Sequence, residues 1–239
     1  MTSTAPTPRR WRSRGAAFAW SGSAFALAAL GAWLVYETID QVSDLARAVP
    51  PTPPEVATDV IVRNAEDDQG RRASFRILLF TDEFRWRFNS HDALDADPAR
   101  PLFTDEMKAV LNSAREIICV GASSEEVPAG VPFDIGRRTE ERRAGRRAER
   151  IALWVRAALS QPIPIRKLNV GHHVPTHRQA DTSDQRRVVI IIVLRQDTDA
   201  NLDQALRSAM AQESARAPIF DTLLTKYSLA SGQRFTWVP

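Results

Sequence analysis

From residue 15 to residue 36 the chain runs 22 positions without one charged side chain. At about 1.5 Å of rise per residue, a helix of that length crosses a hydrocarbon layer roughly 30 Å thick, so the stretch predicts a single transmembrane helix. Trp11, Trp20, Trp33 and Tyr36 lie toward its ends, where amphipathic rings favour the headgroup region. Arg9, Arg10, Arg12 and Arg14 precede it, while Glu37 and Asp40 follow. The positive-inside rule then puts residues 1–14 in the cytoplasm and the bulk of the chain across the inner membrane, in the periplasm. A cleaved signal peptide is the competing reading. Its apolar core should be about 7–15 residues with a small-residue site close behind. This stretch is longer, and Ala46-Arg47-Ala48 lies well past its end. Gly22/Ala26 and Ala24/Ala28 are small-xxx-small pairs that could pack two copies into a homodimer.

The composition narrows the function classes. The chain has 239 residues, a formal charge of +3 and a pI near 9.5. Two of those three charges come from the first forty residues, which hold four arginines against Glu37 and Asp40. The remainder is nearly neutral, which argues against a nucleic-acid partner. A single cysteine, Cys119, excludes an intrachain disulfide framework and any Cys-rich zinc module.

Residues 37–55 read as a short helix stopped by Pro50, Pro51, Pro53 and Pro54, a stalk leading to a folded domain over 56–200. Within that domain, apolar runs of strand length cover 74–81, 116–121 and 165–170. A fourth, at 188–194, is apolar without alternation, as in a strand buried on both faces or at the centre of a sheet. Helical periodicity covers 103–114, with Thr104 as N-cap, and the longer 137–159. Residues 201–239 form a C-terminal extension with an amphipathic helix over 201–216 and a possible edge strand at 235–238. Strands alternating with helices predict an α/β (α+β) sandwich, one mixed sheet with helices on one face, after the transmembrane helix.

Three local motifs resemble the OmpA-like domain of outer-membrane anchors and flagellar MotB-type proteins. Ile118-Cys119-Val120-Gly121 is similar to the family's strand running into Gly-His-Thr-Asp. Arg147-Ala148 followed by Ile151 and Val155 resembles Arg-Ala-x-x-Val on its long helix. Gly171-His172-His173-Val174-Pro175, followed by Asp184-Gln185-Arg186-Arg187-Val188, resembles its Gly-x-Gly-x-x-x-Pro loop and Asn-Arg-Arg-Val strand start. The resemblance implies non-covalent binding of peptidoglycan at the diaminopimelate of its stem peptide, without catalysis or cofactor. A guanidinium would clamp the ligand's carboxylate and a carboxylate would face its ammonium. Arg147 matches the guanidinium, supported by Arg186 and Arg187. The acidic position falls on Ser124, whose hydroxyl cannot neutralise an ammonium, so Glu125 or Asp134 would take that role. A scaffold that has lost glycan binding and docks an envelope protein is the alternative.

Other features have plainer readings. His172, His173 and His177 invite a metal site, but Pro175 interrupts the segment, so helical ligand spacing is not available and a surface loop is expected. Cys119 lies inside an apolar run and reads as a small buried hydrophobe. The arginines of 137–159 read first as a solvated face with ion pairs such as Glu149 with Arg146, three residues before it, and Arg150 nearby, and second as an anion-binding surface for wall polymers or phospholipid headgroups. No nucleophile elbow, phosphate loop or HExxH motif occurs, and the expectation is a protein that is not an enzyme.

Overall fold

The structure is a computed structural model that describes residues 50–97, 99–125, 130–174, 182–230 and 235–239. The segment expected to cross the membrane, residues 15–36, lies outside the described residues, as do His177 and most of the stalk. Among the described residues, no helix is long and apolar enough to cross a membrane.

Pro50–Pro239 forms a unit of its own. Among the described residues its six strands are β1 (Val56–Glu66), β2 (Arg72–Phe80), β3 (Glu116–Ser123), β4 (Ile165–His172), β5 (Val189–Gln196) and β6 (Thr236–Val238). They make one sheet in the order β1-β2-β5-β3-β4-β6, antiparallel throughout except for the parallel pair β3 and β4. The apolar run at 188–194 is therefore an inner strand. The helices are a single turn, α1 (Ala99–Leu102), then α2 (Asp105–Asn112), α3 (Phe133–Ala158), α4 (Leu202–Glu213) and α5 (Pro218–Thr225). Thr104 caps α2 by accepting a hydrogen bond from the Met107 amide at 3.2 Å.

The expected sandwich with helices on one face is corrected: helices cover both. Successive strand residues point to opposite sides of a sheet, and here both sets are apolar. Leu78, Phe80, Ile117, Cys119, Ile190 and Ile192 pack with Met107, Val110 and Leu111 of α2 and Ile151 and Val155 of α3. Ile77, Leu79, Ile118, Val120, Ile191 and Val193 pack with Leu202, Leu206 and Met210 of α4 and Phe220 and Leu223 of α5. A strand that is apolar on both faces needs cover on both, and residues 201–239 supply the second layer. Both cores lie inside Pro50–Pro239, which makes the unit self-contained.

One carboxylate ties the second layer to the sheet. Asp67, in the β1–β2 turn, accepts from the amides of Gln69 at 2.9 Å, Arg71 at 3.0 Å and Asn201 at 2.9 Å, and from Arg71 Nε at 2.8 Å. Asn201 in turn caps α4, accepting from the Asp203 amide at 3.1 Å. Burial alone would raise the Asp67 pKa, but these donors hold it well below the usual carboxylate range.

Candidate functional site

The residues carrying the family resemblance gather at the C-terminal ends of the parallel strands β3 and β4, beneath α3. Two glycines set this geometry. A Cβ on Gly121 would stand 1.9 Å from the Ala144 carbonyl oxygen and 2.7 Å from the Ala148 amide, so α3 crosses β3 at backbone contact. Gly171 holds φ at +85°, a conformation side chains rarely adopt, and a Cβ there would meet Ser228 Oγ at 2.3 Å.

The close crossing carries Arg147 into the interior. It is 1% exposed. Nε and Nη2 donate to the Ser90 carbonyl at 2.9 and 2.8 Å, and Nη1 donates to the Ala122 carbonyl at 2.7 Å. The guanidinium also lies 5.3 Å from the Trp86 ring centroid. Burial, with Arg143 as a like charge nearby, lowers its pKa to about 9, so it stays charged at neutral pH. Trp86 is itself buried and stacks on Trp154 at 5.5 Å.

Arg186 and Arg187 serve the same segment. The Arg186 Nη1 donates to the Trp86 carbonyl at 3.0 Å, while the Trp86 amide donates to the Arg186 carbonyl at 2.8 Å. Arg187 Nη2 lies 2.9 Å from Asp82 and 2.7 Å from Asp184. All three arginines that the resemblance assigns to a ligand therefore hold the chain's own residues between Asp82 and Ser90.

The acidic candidates separate. Ser124 is buried just past the end of β3. The Glu125 side chain is 6% exposed, with its carboxylate 3.6 Å from His173 Nδ1, and its amide donates to Gln185 Oε1 at 2.9 Å. Asp134 is exposed in the first turn of α3. It stands thirteen residues from Arg147 along the same helix, roughly 20 Å at the helical rise, and cannot share a ligand pocket with it. The structure thus brings Arg147, Arg186 and Arg187 together around residues 82–90, and leaves Asp134 apart.

Several polar residues here carry no family motif. Glu140 is buried, accepting from the Ser123 hydroxyl and pairing with Arg143. Its signal in the sequence was a carboxylate among apolar helix positions at Ala144, Ala148 and Ile151. His172 Nδ1 lies 3.5 Å from Glu141, which also accepts from Ser228 Oγ at 2.9 Å. His173 packs edge-on against Tyr227 at 5.4 Å, and the Tyr227 hydroxyl donates to the Gln185 carbonyl at 3.1 Å. Burial lowers both histidine pKa values, against the opposing pull of Glu141 and Glu125. His172 and His173 each face a different carboxylate, so they do not converge on one metal. Among the described residues no group of three or more His, Cys, Asp or Glu could hold an ion. Cys119 is buried and its thiol pKa is raised by that burial, which removes it as a nucleophile at neutral pH.

No protein-family model matches the chain. No curated protein matches it either. One solved structure that it is similar to is the OmpA-like domain of FopA1 from Francisella tularensis subsp. tularensis SCHU S4, at 14% sequence identity, covering 60% of this chain and 84% of that one with a TM-score of 0.36.

Proposed function

We propose that this chain is a membrane-anchored, non-catalytic envelope scaffold whose periplasmic domain docks a protein partner, with the position of the diaminopimelate clamp filled by its own backbone. The observation that supports this reading is the hydrogen bonding of Arg147. A guanidinium that clamps a carboxylate must present donors to solvent. Here three of its N–H groups end on the Ser90 and Ala122 carbonyls and the side chain is buried. Arg186 and Arg187 reinforce the same closure, and Ser124 supplies no counter-charge for an ammonium.

Co-sedimentation of residues 50–239 with diaminopimelate-type peptidoglycan tests the reading. The domain is expected to stay in solution. Full-length protein is expected in the membrane fraction, resisting extraction by salt and alkali and co-purifying with an envelope protein in fixed ratio. Pelleting with peptidoglycan that free stem peptide competes away would sink the proposal.

One observation favours the second reading, retained peptidoglycan binding. Arg147 places Nε and Nη2 on a single acceptor, the donor pair that also fits a carboxylate, and Glu125 stands at the end of β3. Displacement of Ser90 by the stem peptide would give that reading its site. Competable pelleting is its signature, so the same experiment decides between the two.

A further inference from the structure

We infer that the outer face of α3 is a docking surface for an anionic phospholipid bilayer. Arg138, Arg142, Arg146 and Arg150 follow one another at intervals of four, which stacks them in one row over about 18 Å of helix. The first three are exposed and Arg150 is half-buried. None of the four forms an ion pair with another described residue, and the Glu149 pairs expected from spacing are not made. Two acids share this face, Asp134 one step before Arg138 in the same row and Glu149 beside Arg146, and Asp92 approaches Arg150 from the neighbouring loop. The row therefore carries a net positive charge, concentrated at Arg142 and Arg146, between Asp134 at one end and Asp92 at the other.

The same face carries apolar side chains. Ile135 is 57% exposed and Leu153 is 54% exposed, and each sits in the direction of the arginine row, one at either end. Basic residues flanked by exposed aliphatics suit a bilayer surface, where phosphates meet the guanidinium groups and the aliphatics reach the acyl boundary. An acidic protein surface would offer the charge but no apolar layer beneath it. Between His91, Arg146, Arg150 and Leu153, with Glu149 on its wall, lies a shallow depression of about 200 Å³. A single headgroup phosphate fits there. If residues 15–36 span the membrane as proposed above, the fourteen residues from Tyr36 to Pro50 reach at most about 50 Å, which keeps the domain beside such a surface.

The test uses the self-contained domain, residues 50–239, and so does not depend on the anchor. Co-sedimentation with vesicles of phosphatidylglycerol and phosphatidylcholine is compared with phosphatidylcholine alone, at low and at half-molar salt. Binding is expected only with the anionic vesicles at low salt. Each arginine neutralised should weaken it roughly fivefold, so Arg138→Gln/Arg142→Gln/Arg146→Gln should lose about a hundredfold. Leu153→Gln should also weaken it, while Arg216→Gln, in the turn after α4, should not. Equal pelleting with neutral vesicles, a triple variant that binds like the parent, or soluble polyglutamate bound as tightly as the vesicles would each overturn the inference. The lipid and salt dependence of the parent alone decides the matter should the variant fail to fold.

Discussion

Arg147 reaches Ser90 through two donors at once, with Nε at 2.9 Å and Nη2 at 2.8 Å from the same carbonyl oxygen. The long helix and the segment after β2 are joined at that oxygen, far apart in sequence and adjacent in space. The guanidinium is a buried charge satisfied by dipoles rather than by a carboxylate, an arrangement that tolerates no gap in its hydrogen bonding.

Arg147→Ala removes those donors and leaves the Ser90 and Ala122 carbonyls buried without them, next to a cavity. The expected loss is roughly 2–4 kcal/mol, read as a lower urea midpoint with an unchanged slope. Arg147→Lys keeps the charge, but one compact ammonium cannot reproduce a planar fork that spans two carbonyls, so it should recover only part of that loss. A wild-type midpoint for either variant would show that Arg147 does not hold residues 82–90 in place.

Gly121→Ala should be among the most damaging small substitutions. Its Cβ would fall inside the Ala144 carbonyl, and backbone on both sides must separate at a cost of roughly 3 kcal/mol or more. Gly145→Ala is the contrast. There the nearest atom is the Asn169 side-chain amide nitrogen at 3.2 Å, and the helix propensity gained is about 1 kcal/mol. Its melting temperature should stay within a few degrees of the parent's, while that of Gly121→Ala falls steeply.

The two histidines give the fold a pH dependence of known sign. Burial, opposed by Glu141 and Glu125, depresses the folded-state pKa of His172 and His173, so the unfolded chain takes up their protons first as pH falls. Their contribution is fully present above the ordinary histidine value of about 6.5 and is lost as pH drops through the depressed values. Unfolding free energies measured at pH 7.5, 6.5 and 5.5 should decline in that order. His172→Gln/His173→Gln should flatten this limb, and a decline of unchanged slope in the double variant would contradict the assignment.

Asp67 acts in a separate window. Its depressed pKa means that its stabilisation is present above the ordinary aspartate value and is lost as pH falls below about 4. Asp67→Asn should therefore unfold at a lower temperature at neutral pH, and show a weaker acid limb there.

A chain ending at Ala200 should not fold. It would leave Ile77, Leu79, Ile191 and Val193 uncovered on the face that α4 and α5 bury. Its expected behaviour is aggregation, or binding of a hydrophobic dye without a cooperative melt.

Strand and helix positions were legible wherever side-chain periodicity was strong. The apolar run at 188–194 carried its double-sided burial in its composition, and Thr104 announced the start of α2. The strand Val56–Glu66 is not legible in the sequence, because Asp59, Arg63 and Asn64 interrupt its apolar pattern. It is an edge strand with register shifts, half exposed along much of its length. The second helical layer was visible as a helix, but its partner face was not, since amphipathic spacing marks a buried side without saying what covers it. At the site, motif spacing brought Arg147, Arg186 and Arg187 to one place. The role of Ser90 was illegible, because the group that matters is a backbone carbonyl, which every residue has.

The strand order also sets when the protein can form. β2 lies between β1 and β5, and Val189 follows Phe80 by more than a hundred residues. At roughly 5–20 residues per second of synthesis, the β1–β2 hairpin waits on the order of 5–20 s with the apolar edge of β2 open. Pairings this distant in sequence close late and slowly. The nascent chain therefore presents residues 72–80 as a bare, sticky strand, and a holdase that shields this stretch should govern yield more than any property of the finished fold.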